Sequence, residues 1–338
     1  INYVGEIRVR KGNYIIGDAG LPNGVTVPAS VEIVFESSAN VHNDGNNSIF
    51  TSSGIIRNLQ LNVAGSLTSP AIRLRSNAGL YNTTNENIRV GAYGVTKGLY
   101  DIDGATNVVI DGMINRMFVS TINGGATTVR PIRYHIKNST NVTINGIDDQ
   151  QIPAVALGGS MSDSHFALEG SIIGLKITNS RLTTMGNFIA GQNLTRLDGL
   201  QFKFITLDMH GYNGINDYFD FSGGTISSGT VMDTVNINMF APADAGDSAG
   251  AIGRLFQMTG TSCGNLTLNN FRVRNAGSDE NTVRITNFLF QNGAGYKDTR
   301  ITNSDFTGIS TLRSDNAGST SRLGYNVYFN NALQTAGN

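Results

Sequence analysis

A short pattern of alternating apolar and polar residues recurs along the chain and constrains its fold more than any other feature. In each copy, two apolar residues are separated by one residue and are followed by Thr, Asn or Asp and then by Asn or Gly. Side chains alternate between the two faces of a β-strand, and Asn and Gly tolerate the left-handed backbone of a sharp bend. Each copy therefore predicts a strand that ends at a corner. The clearest copies begin at Val108, Val142, Leu175 and Leu266, and weaker ones begin at Leu59, Ile88, Val235, Val283 and Thr299.

A second short strand precedes most copies, so that the whole unit recurs roughly every 30 residues, a period typical of solenoid proteins. Each rung of a solenoid buries its inward face only against the rungs above and below it. The sequence therefore predicts an all-β fold, a right-handed single-stranded parallel β-helix. A sandwich or an antiparallel barrel would instead show two-residue hairpin turns at short intervals. The second strands begin at Ile72, Tyr100, Tyr134, Phe166, Phe188, Phe219 and Phe256.

The opening segment contains Gly12-Asn-Tyr14 between two apolar stretches, with Pro28 before a further apolar stretch. This segment resembles the start of the pectate-lyase-like superfamily of right-handed β-helices. Residues 54–61 are similar to the Ile-Ile-Arg-Asn-Leu strand of that superfamily. The resemblance implies the fold but no catalytic residue, because the Gly-His-Gly and Arg-Ile-Lys motifs of polygalacturonases and the clustered aspartates of pectate lyases are absent. The pair Asp148-Asp149, although similar to a polygalacturonase pair, is therefore given no catalytic role.

Three parts of the chain are expected. Residues 1–50 form an N-terminal cap and the first rungs, residues 51–310 form the body of the β-helix, and residues 311–338 form the last rung and a C-terminal segment.

Charge and composition exclude several classes of function. The chain has 24 Lys and Arg against 25 Asp and Glu, so no basic excess is available to neutralise the phosphates of a nucleic acid. Membrane insertion is not expected, because no apolar stretch has the length of a membrane span. The single cysteine, Cys263, cannot form a disulfide within the chain.

Outward side chains of successive rungs should stack into columns, because neighbouring strands lie about 4.8 Å apart. Alignment of the second strands predicts two such columns, and their N-terminal halves are rich in ionisable residues. One column is Arg73, Asp101, His135, Ala167, Ile189, Asp220 and Gln257, and the other is Arg75, Asp103, Lys137, Glu169, Gly191, Ser222 and Thr259.

These columns have two interpretations. In the first, the alternating charges only pair with one another along the solenoid, and each exposed pair contributes little to stability. In the second, they form an acid/base cleft, because Asp103 and Glu169 lie two rungs apart, about 9–10 Å at the backbone. Inverting glycosidases hold their two carboxyl groups at a similar separation. Asp220 is also two rungs from Glu169.

The predicted catalytic pair is Glu169 and Asp220, acting as acid and base, with Asp103, Asp101 and His135 as further catalytic candidates. Lys137 and Arg75 are predicted to bind substrate. Alternatively, Lys137 or His135 between carboxylates could serve a β-eliminating lyase, which needs a base and a cation that stabilises an enolate.

A second candidate site is the segment 208–220, which contains His210, Tyr212, Asp217 and Tyr218 as predicted substrate-binding residues. Aromatic rings pack against the C–H faces of sugars, and carboxylates accept hydrogen bonds from sugar hydroxyls. The alternative is a solvated turn. No metal or other cofactor is expected, since the acidic segment around Asp244 lacks the spacing of an EF-hand.

The charge-poor composition, rich in Asn, Gly, Ser and Thr, together with the irregular rung loops, resembles that of bacteriophage tailspike proteins. The resemblance implies a homotrimer on the virion tail that binds a bacterial surface polysaccharide, either capsule or O-antigen. It also implies depolymerisation of that polysaccharide. Hydrolysis is the favoured reaction, and β-elimination is the alternative. A non-catalytic glycan-binding adhesin and a secreted pectin-type lyase or hydrolase remain as alternatives. The apolar residues Val109 and Ile189, outward in the predicted register, would suit a three-fold assembly.

Overall fold

The computed structural model describes residues 5–16, 24–43, 48–63, 69–90, 99–119, 132–152, 164–184, 187–210, 217–221, 225–226, 229–240, 252–259, 266–275, 285–292, 299–306, 314–315, 327–330 and 332–334. These residues form 27 β-strands and contain no helix. In the described part of the chain there is accordingly no helix long and apolar enough to cross a membrane.

In chain order the strands are β1 (Gly5–Val9), β2 (Gly12–Ile15), β3 (Val25–Val27), β4 (Val31–Phe35), β5 (Ala39–Asn43), β6 (Phe50–Ser52), β7 (Ile55–Arg57), β8 (Gln60–Val63), β9 (Ile72–Leu74), β10 (Gly79–Val90), β11 (Tyr100–Asp103), β12 (Thr106–Val119), β13 (Ile132–Ile152), β14 (Ser164–Ile173), β15 (Lys176–Thr184), β16 (Asn187–Asp198), β17 (Gln201–His210), β18 (Asp217–Asp220), β19 (Thr225–Ile226), β20 (Thr230–Phe240), β21 (Ile252–Thr259), β22 (Leu266–Asn275), β23 (Ile285–Asn292), β24 (Thr299–Thr302), β25 (Ser314–Asp315), β26 (Val327–Phe329) and β27 (Ala332–Gln334).

Each strand pairs in parallel with the equivalent strand of the next rung, for example β1 with β4, β4 with β7 and β11 with β13. Among the described strands, only β26 and β27 pair antiparallel. The prediction of a right-handed parallel β-helix is therefore confirmed. The division at residues 50 and 310 stays a prediction. Rung-to-rung pairing begins at β1 and continues to β26, so the pairing by itself does not divide the chain into these three parts.

The rungs are triangular, with three faces that we call A, B and C. Face A contains β3, β6, β9, β11, the first parts of β13, β14 and β16, and then β18, β21 and β23. Face B contains β1, β4, β7, the middle of β13, and the first parts of β10, β12, β15, β17, β20 and β22. Face C contains β2, β5, β8 and the last parts of the same long strands.

The corner between faces B and C repeats one backbone conformation from rung to rung. The residue at this corner has a positive φ in each described rung from β4 onward, as the recurring strand–corner pattern predicts. Left-handed backbone costs most residues about 1–2 kcal/mol but is tolerated by Gly and Asn. Ser38, Phe204 and Thr234 are exceptions, and of these Phe204 is bulky and Thr234 is β-branched. The residues in this column are Ser38, Asn58, Asn82, Gly112, Gly146, Asn179, Phe204, Thr234, Asn270, Asn303 and Asn330.

Inside the solenoid, the first apolar residues of face A stack into a column of rings. Tyr100 lies over Tyr134 with ring centroids 5.0 Å apart, and Tyr134 lies over Phe166 at 4.9 Å. The column continues through Phe188 to Phe219. All these side chains are fully buried, and each ring pair adds about 0.5–1.5 kcal/mol beyond the burial of its area. This stacking explains why the apolar residues of the second strands point into the solenoid, as the sequence predicts.

The predicted register of face A fails at β16. Phe166 pairs with Ile189, not with Phe188, so Ala190 and Gln192 occupy the outward positions predicted for Ile189 and Gly191. Ile189 is fully buried, and the prediction that it is an outward apolar residue is wrong. The physical reason is that Phe188 and Ile189 are adjacent large apolar residues and both are buried, with the Phe188 ring inserted between Phe166 and Phe219.

The corner between faces A and B offers a test of how closely neighbouring rungs approach each other. Gly104 and Gly170 both follow a strand of face A and have φ values of 62° and 67°. A Cβ at residue 170 would lie 2.1 Å from Asn138 Oδ1, whereas a Cβ at residue 104 would meet nothing within 4 Å. Asn138 Oδ1 accepts a hydrogen bond from the Ser171 N–H at 3.1 Å, so it cannot move aside without losing that bond.

We therefore expect Gly104→Ala to lower the free energy of unfolding by about 1–2 kcal/mol, through the left-handed backbone alone. Gly170→Ala should lower it by about 2–4 kcal/mol, because steric overlap is added. Urea denaturation of the two variants measures both values. Equal losses would contradict the close approach of neighbouring rungs at Gly170.

Candidate active site

A row of contacting ionisable side chains crosses face A. The strand register pairs Asp101 with His135 and Lys137 with Glu169, as the two predicted columns require. Arg75 directly follows β9, the strand on the other side of β11. We call Arg75, Asp101, His135, Glu169 and Lys137 the ionic row. It extends over the four consecutive strands β9, β11, β13 and β14.

The imidazole of His135 is the centre of this row. Its Nδ1 lies 2.8 Å from Asp101 Oδ1, and its Nε2 lies 3.0 Å from Glu169 Oε2. At the outer end, Lys137 Nζ donates to Glu169 Oε1 at 2.6 Å. At the other end, a terminal guanidinium nitrogen of Arg75 lies 3.5 Å from Asp101 Oδ2. Both oxygens of Glu169 are thus held by a cationic partner when His135 is protonated.

The middle of the row is buried and its two ends are partly exposed, with the Arg75 side chain 35% exposed. The side chains of Asp101 and His135 are 6% and 4% exposed, whereas those of Glu169 and Lys137 are 25% and 33% exposed. Removing a charge from water is unfavourable unless it is well paired, so Asp101 and His135 depend on each other. Glu169 is the carboxylate of the row that solvent or a ligand reaches most easily.

A small side chain makes the contact between His135 and Glu169 possible. Ala167 follows His135 in the same outward column, and its methyl group leaves room for the imidazole ring. Glu169 lies two residues further along β14 and reaches the ring diagonally. The predicted columns already align Ala167 with His135, but its role in leaving space for the ring was not predicted.

These contacts change the pKa values of three groups. The hydrogen bond from Lys137 lowers the pKa of Glu169, and His135 adds to this effect against the partial burial of the carboxyl group. Burial alone would lower the pKa of His135, but its hydrogen bonds to Asp101 and Glu169 and their negative charges outweigh burial and raise it. The hydrogen bond to Glu169 likewise raises the pKa of Lys137.

The directions of these shifts decide which chemistry each group suits. Glu169 stays ionised and therefore suits the role of base or nucleophile, not that of general acid. The raised pKa values of Lys137 and His135 favour their protonated forms, and both ring nitrogens of His135 face carboxylate acceptors, so neither group suits the role of base. The arrangement does not favour the alternative in which Lys137 or His135 abstracts a proton in a β-elimination. Asp101 and His135 fit positioning roles behind Glu169.

Two further carboxylates of face A lie at the distance that the sequence predicts. Asp103 is in the column of Lys137 and Glu169, and Asp220 is in the column of Ala167 and Ala190. Both are half-buried and two rungs from Glu169, Asp103 about 10 Å away at the backbone in the same column and Asp220 about 12 Å away on the diagonal. The negative charge of Asp103 also contributes to the raised pKa of Lys137.

The second predicted site is only partly described. His210 ends β17, and Asp217 and Tyr218 begin β18, so the backbone places them on different faces of the solenoid. Tyr212 lies outside the described residues. Asp208, at the start of this segment, is nearly buried on face C and accepts hydrogen bonds from Arg181 at 2.8 and 3.0 Å. This pair was not predicted, because it lies on face C, outside the predicted columns of face A.

The interior of the solenoid also contains polar residues that sequence reasoning missed. In the inward column of face C, apolar residues give way to Asn85, Asn115 and Asp149. All three are buried, and Asp149 Oδ2 lies 3.1 Å from Nε2 of the buried His165. Asp149 therefore points away from any ligand outside the solenoid. Within the described residues, no group of three His, Cys, Asp or Glu side chains is arranged to hold a metal ion.

The chain matches no protein-family model and no curated protein. Among solved structures, it is similar to the surface protein and adhesin PfbA of Streptococcus pneumoniae, with a TM-score of 0.47 and 13% identity over 96% of this chain and 91% of that chain. It is also similar to the catalytic domain of a GH87 α-1,3-glucanase in complex with nigerose, with a TM-score of 0.42 and 12% identity over 95% of this chain and 63% of that chain.

A third similar structure is the endo-xylogalacturonan hydrolase from Aspergillus tubingensis, with a TM-score of 0.35 and 10% identity over 97% of this chain and 88% of that chain. With TM-scores below 0.5, none of these similarities bears on activity or ligand. The fold assignment rests on the strand register of this chain itself.

The raised pKa of His135 predicts how stability depends on pH. Because its folded-state pKa lies above the unfolded value of 6.5, its stabilising contribution is complete below pH 6.5 and is lost as pH rises through the folded-state pKa. The lowered pKa of Glu169 places the loss of its own contribution below pH 4.5, outside this range.

We expect His135→Gln to lower the free energy of unfolding by about 1–3 kcal/mol at pH 5.5, through the loss of a charged hydrogen-bonding partner. The difference from the wild-type protein should shrink between pH 6.5 and 9. Urea denaturation at several pH values measures it. A difference that stays constant over this range would show that His135 is not held protonated by the row.

Proposed function

We propose that the protein binds a polysaccharide along face A and hydrolyses it, with Glu169 as the reactive carboxylate. One observation carries this proposal. Both oxygens of Glu169 are fixed by His135 and Lys137, yet the side chain is still a quarter exposed. Behind it, Asp101 and His135 are almost fully buried charged groups, an arrangement that is unfavourable for stability alone and typical of functional sites.

The reaction that fits an ionised Glu169 is displacement at the anomeric carbon. With Glu169 as base, it accepts a proton from a water molecule as the water oxygen bonds to the anomeric carbon. The bond between that carbon and the glycosidic oxygen breaks, and a second carboxyl group gives its proton to the leaving oxygen. A two-rung separation of the carboxyl groups leaves room for the water, as in inverting glycosidases.

The second carboxyl group is Asp220 or Asp103. We retain Asp220 as the first choice, as the sequence predicts, because its column runs beside that of Glu169 and holds only Ala167 and Ala190 between Asp220 and His135. Asp103 has Lys137 between itself and Glu169. Lys137 already donates to Glu169 there, so the space between these two carboxyl groups is occupied and Asp103 is the second choice.

Arg75 and Lys137 are the proposed substrate-binding cations at the two ends of the row. Each side chain is about one-third exposed, so a guanidinium or ammonium proton remains available to an oxygen of the glycan. Hydroxyl, carboxylate and acetyl oxygens are all suitable acceptors for these donors.

A glycan-binding protein without catalysis is the second candidate. It is favoured by the fact that Arg75, His135 and Lys137 are each already paired with a carboxylate of the row. In that case the ionic row stabilises the rungs of face A and the solenoid binds its ligand without cleaving it. Measurement of the chain length of the polysaccharide separates the two candidates.

The source and target of the activity remain proposals from composition and architecture. The proposed source is a bacteriophage tailspike that acts from the virion tail as a homotrimer. The proposed target is a bacterial capsule or O-antigen polysaccharide. A secreted pectin-type hydrolase or lyase is the alternative source. A strong absorbance increase near 235 nm (roughly the wavelength of an unsaturated uronate) during incubation would identify a lyase rather than a hydrolase.

The test is to incubate the protein with a panel of capsular, O-antigen and pectic polysaccharides and to measure new reducing ends. We expect Glu169→Gln to lower the rate by a factor of about 10²–10⁴, the usual contribution of a general base. Glu32→Gln is the matched control, because Glu32 also forms an ion pair between rungs, with Arg57 on face B. This control should keep the wild-type rate.

Asp220→Asn and Asp103→Asn, measured in the same assay, identify the general acid as the variant with the larger loss. Wild-type rates in Glu169→Gln, or in both aspartate variants, would contradict the proposed site. Binding of a polysaccharide without any new reducing end would favour the non-catalytic candidate.

A further inference from the structure

Phe204 is unusual in both its backbone and its exposure. It lies at the corner between faces B and C with φ of 57°, in the column that is occupied mainly by Asn and Gly. Burial of the ring does not explain this backbone conformation, because the residue is 57% exposed. Among the residues that the structure describes, it is the one aromatic residue in the set of large exposed apolar residues.

Neither property is favourable for folding. A left-handed backbone disfavours a bulky residue, and an exposed phenyl ring gains little from the hydrophobic effect. Asn at the same corner would avoid both disadvantages, as it does in the rung below at Asn179. A strained residue whose conformation adds nothing to the stability of the fold indicates a function.

The surroundings of the ring are polar and fixed. In the rung below, Thr178 Oγ1 and Asn179 Nδ2 both donate to Asn145 Oδ1 at 2.8 Å. In the rung above, Asp233 Oδ1 accepts a hydrogen bond from Asn269 Nδ2 at 2.9 Å. Thr234 Oγ1 accepts one from Asn270 Nδ2 at 3.2 Å. The equivalent residues of adjacent rungs lie about 4.8 Å apart, so these groups border Phe204 on both sides.

One exposed ring bordered by hydroxyl, amide and carboxylate groups matches the chemistry of a sugar. The ring face packs against the C–H groups of a pyranose, and the polar groups bind its hydroxyls. A protein partner would need a continuous apolar surface. The other large exposed apolar residues of the described chain are Ile7, Ile15 and Ile114, and even Ile114 is three rungs away, about 14 Å.

We propose that Phe204 is the stacking platform of a second carbohydrate-binding site, at the corner between faces B and C and separate from the ionic row of face A. Its ligand is a pyranose ring of a polysaccharide, bound through the ring face and neighbouring hydroxyls. This inference rests on the proposed function only for the kind of ligand. The site retains the polymer on the protein and takes no part in bond cleavage.

The test is affinity electrophoresis of the full chain through gels that contain, one at a time, the polysaccharides of the panel above. All variants carry Glu169→Gln, so that cleavage does not shorten the polymer. We expect at least one polymer to retard the protein, and Phe204→Asn to weaken this binding about tenfold, through loss of the stacked ring. Phe204→Trp should bind at least as well as the parent protein.

Two controls separate binding from folding. Ser38→Asn places the same residue at the same corner in an early rung, and its binding should equal that of the parent. Phe204→Asn should keep or raise the thermal midpoint, since Asn suits the left-handed backbone. A lowered midpoint would mean that the ring has a packing role and would overturn the proposal.

Unchanged binding of Phe204→Asn, or the failure of every polymer to retard the parent protein, would also overturn it. The two proposals fail separately. Retention that depends on Phe204, in a protein that cleaves nothing, would reject the hydrolase and keep this site. Cleavage by the protein without any effect of Phe204→Asn on retention would do the reverse.

Discussion

The pairing of each strand with its equivalent in the next rung is the constraint on which the rest of the structure depends. This pairing fixes the distance between equivalent residues at about 4.8 Å, so each side chain contacts the equivalent side chains of the rungs on both sides. Apolar residues then stack into an interior column, as Tyr100, Tyr134 and Phe166 do. Outward residues stack in the same way, which is how Asp101 comes to lie against His135.

The same constraint explains how charged groups are kept within a β-sheet of low charge. A buried carboxylate or imidazolium needs a partner at hydrogen-bonding distance, and parallel stacking in register supplies one from the neighbouring rung. Asp101 and His135 meet this need for each other, and Ala167 leaves the space through which Glu169 completes the row. Stability and chemistry therefore use the same contacts. The electrostatic environment that holds the buried pair also favours the ionised form of the partly exposed Glu169.

The sequence was sufficient to predict the repeat, the strand–corner pattern and the register of face A as far as Glu169. These features depend on periodicity and on the tolerance of Asn and Gly for left-handed backbone, both of which are local properties of a sequence. The shift at Ile189 was not predictable, because Phe188 and Ile189 are equally apolar and only packing between Phe166 and Phe219 selects the register. The burial of Asp101 and the interior pair of Asp149 and His165 also depend on three-dimensional packing. Phe204 fits the apolar pattern of a strand, and only its φ angle and exposure distinguish it.

The central claim is that Lys137 and a buried, protonated His135 together hold Glu169 ionised on face A. An NMR titration of the protein with ¹⁵N-labelled histidine tests it most directly, with the His135 signals assigned by their absence from the spectrum of His135→Gln. We expect both ring nitrogens of His135 still to carry protons above pH 6.5, and Glu169→Gln to lower the pKa of His135. A His135 pKa at or below 6.5 in the wild-type protein, or one that Glu169→Gln leaves unchanged, would contradict the account.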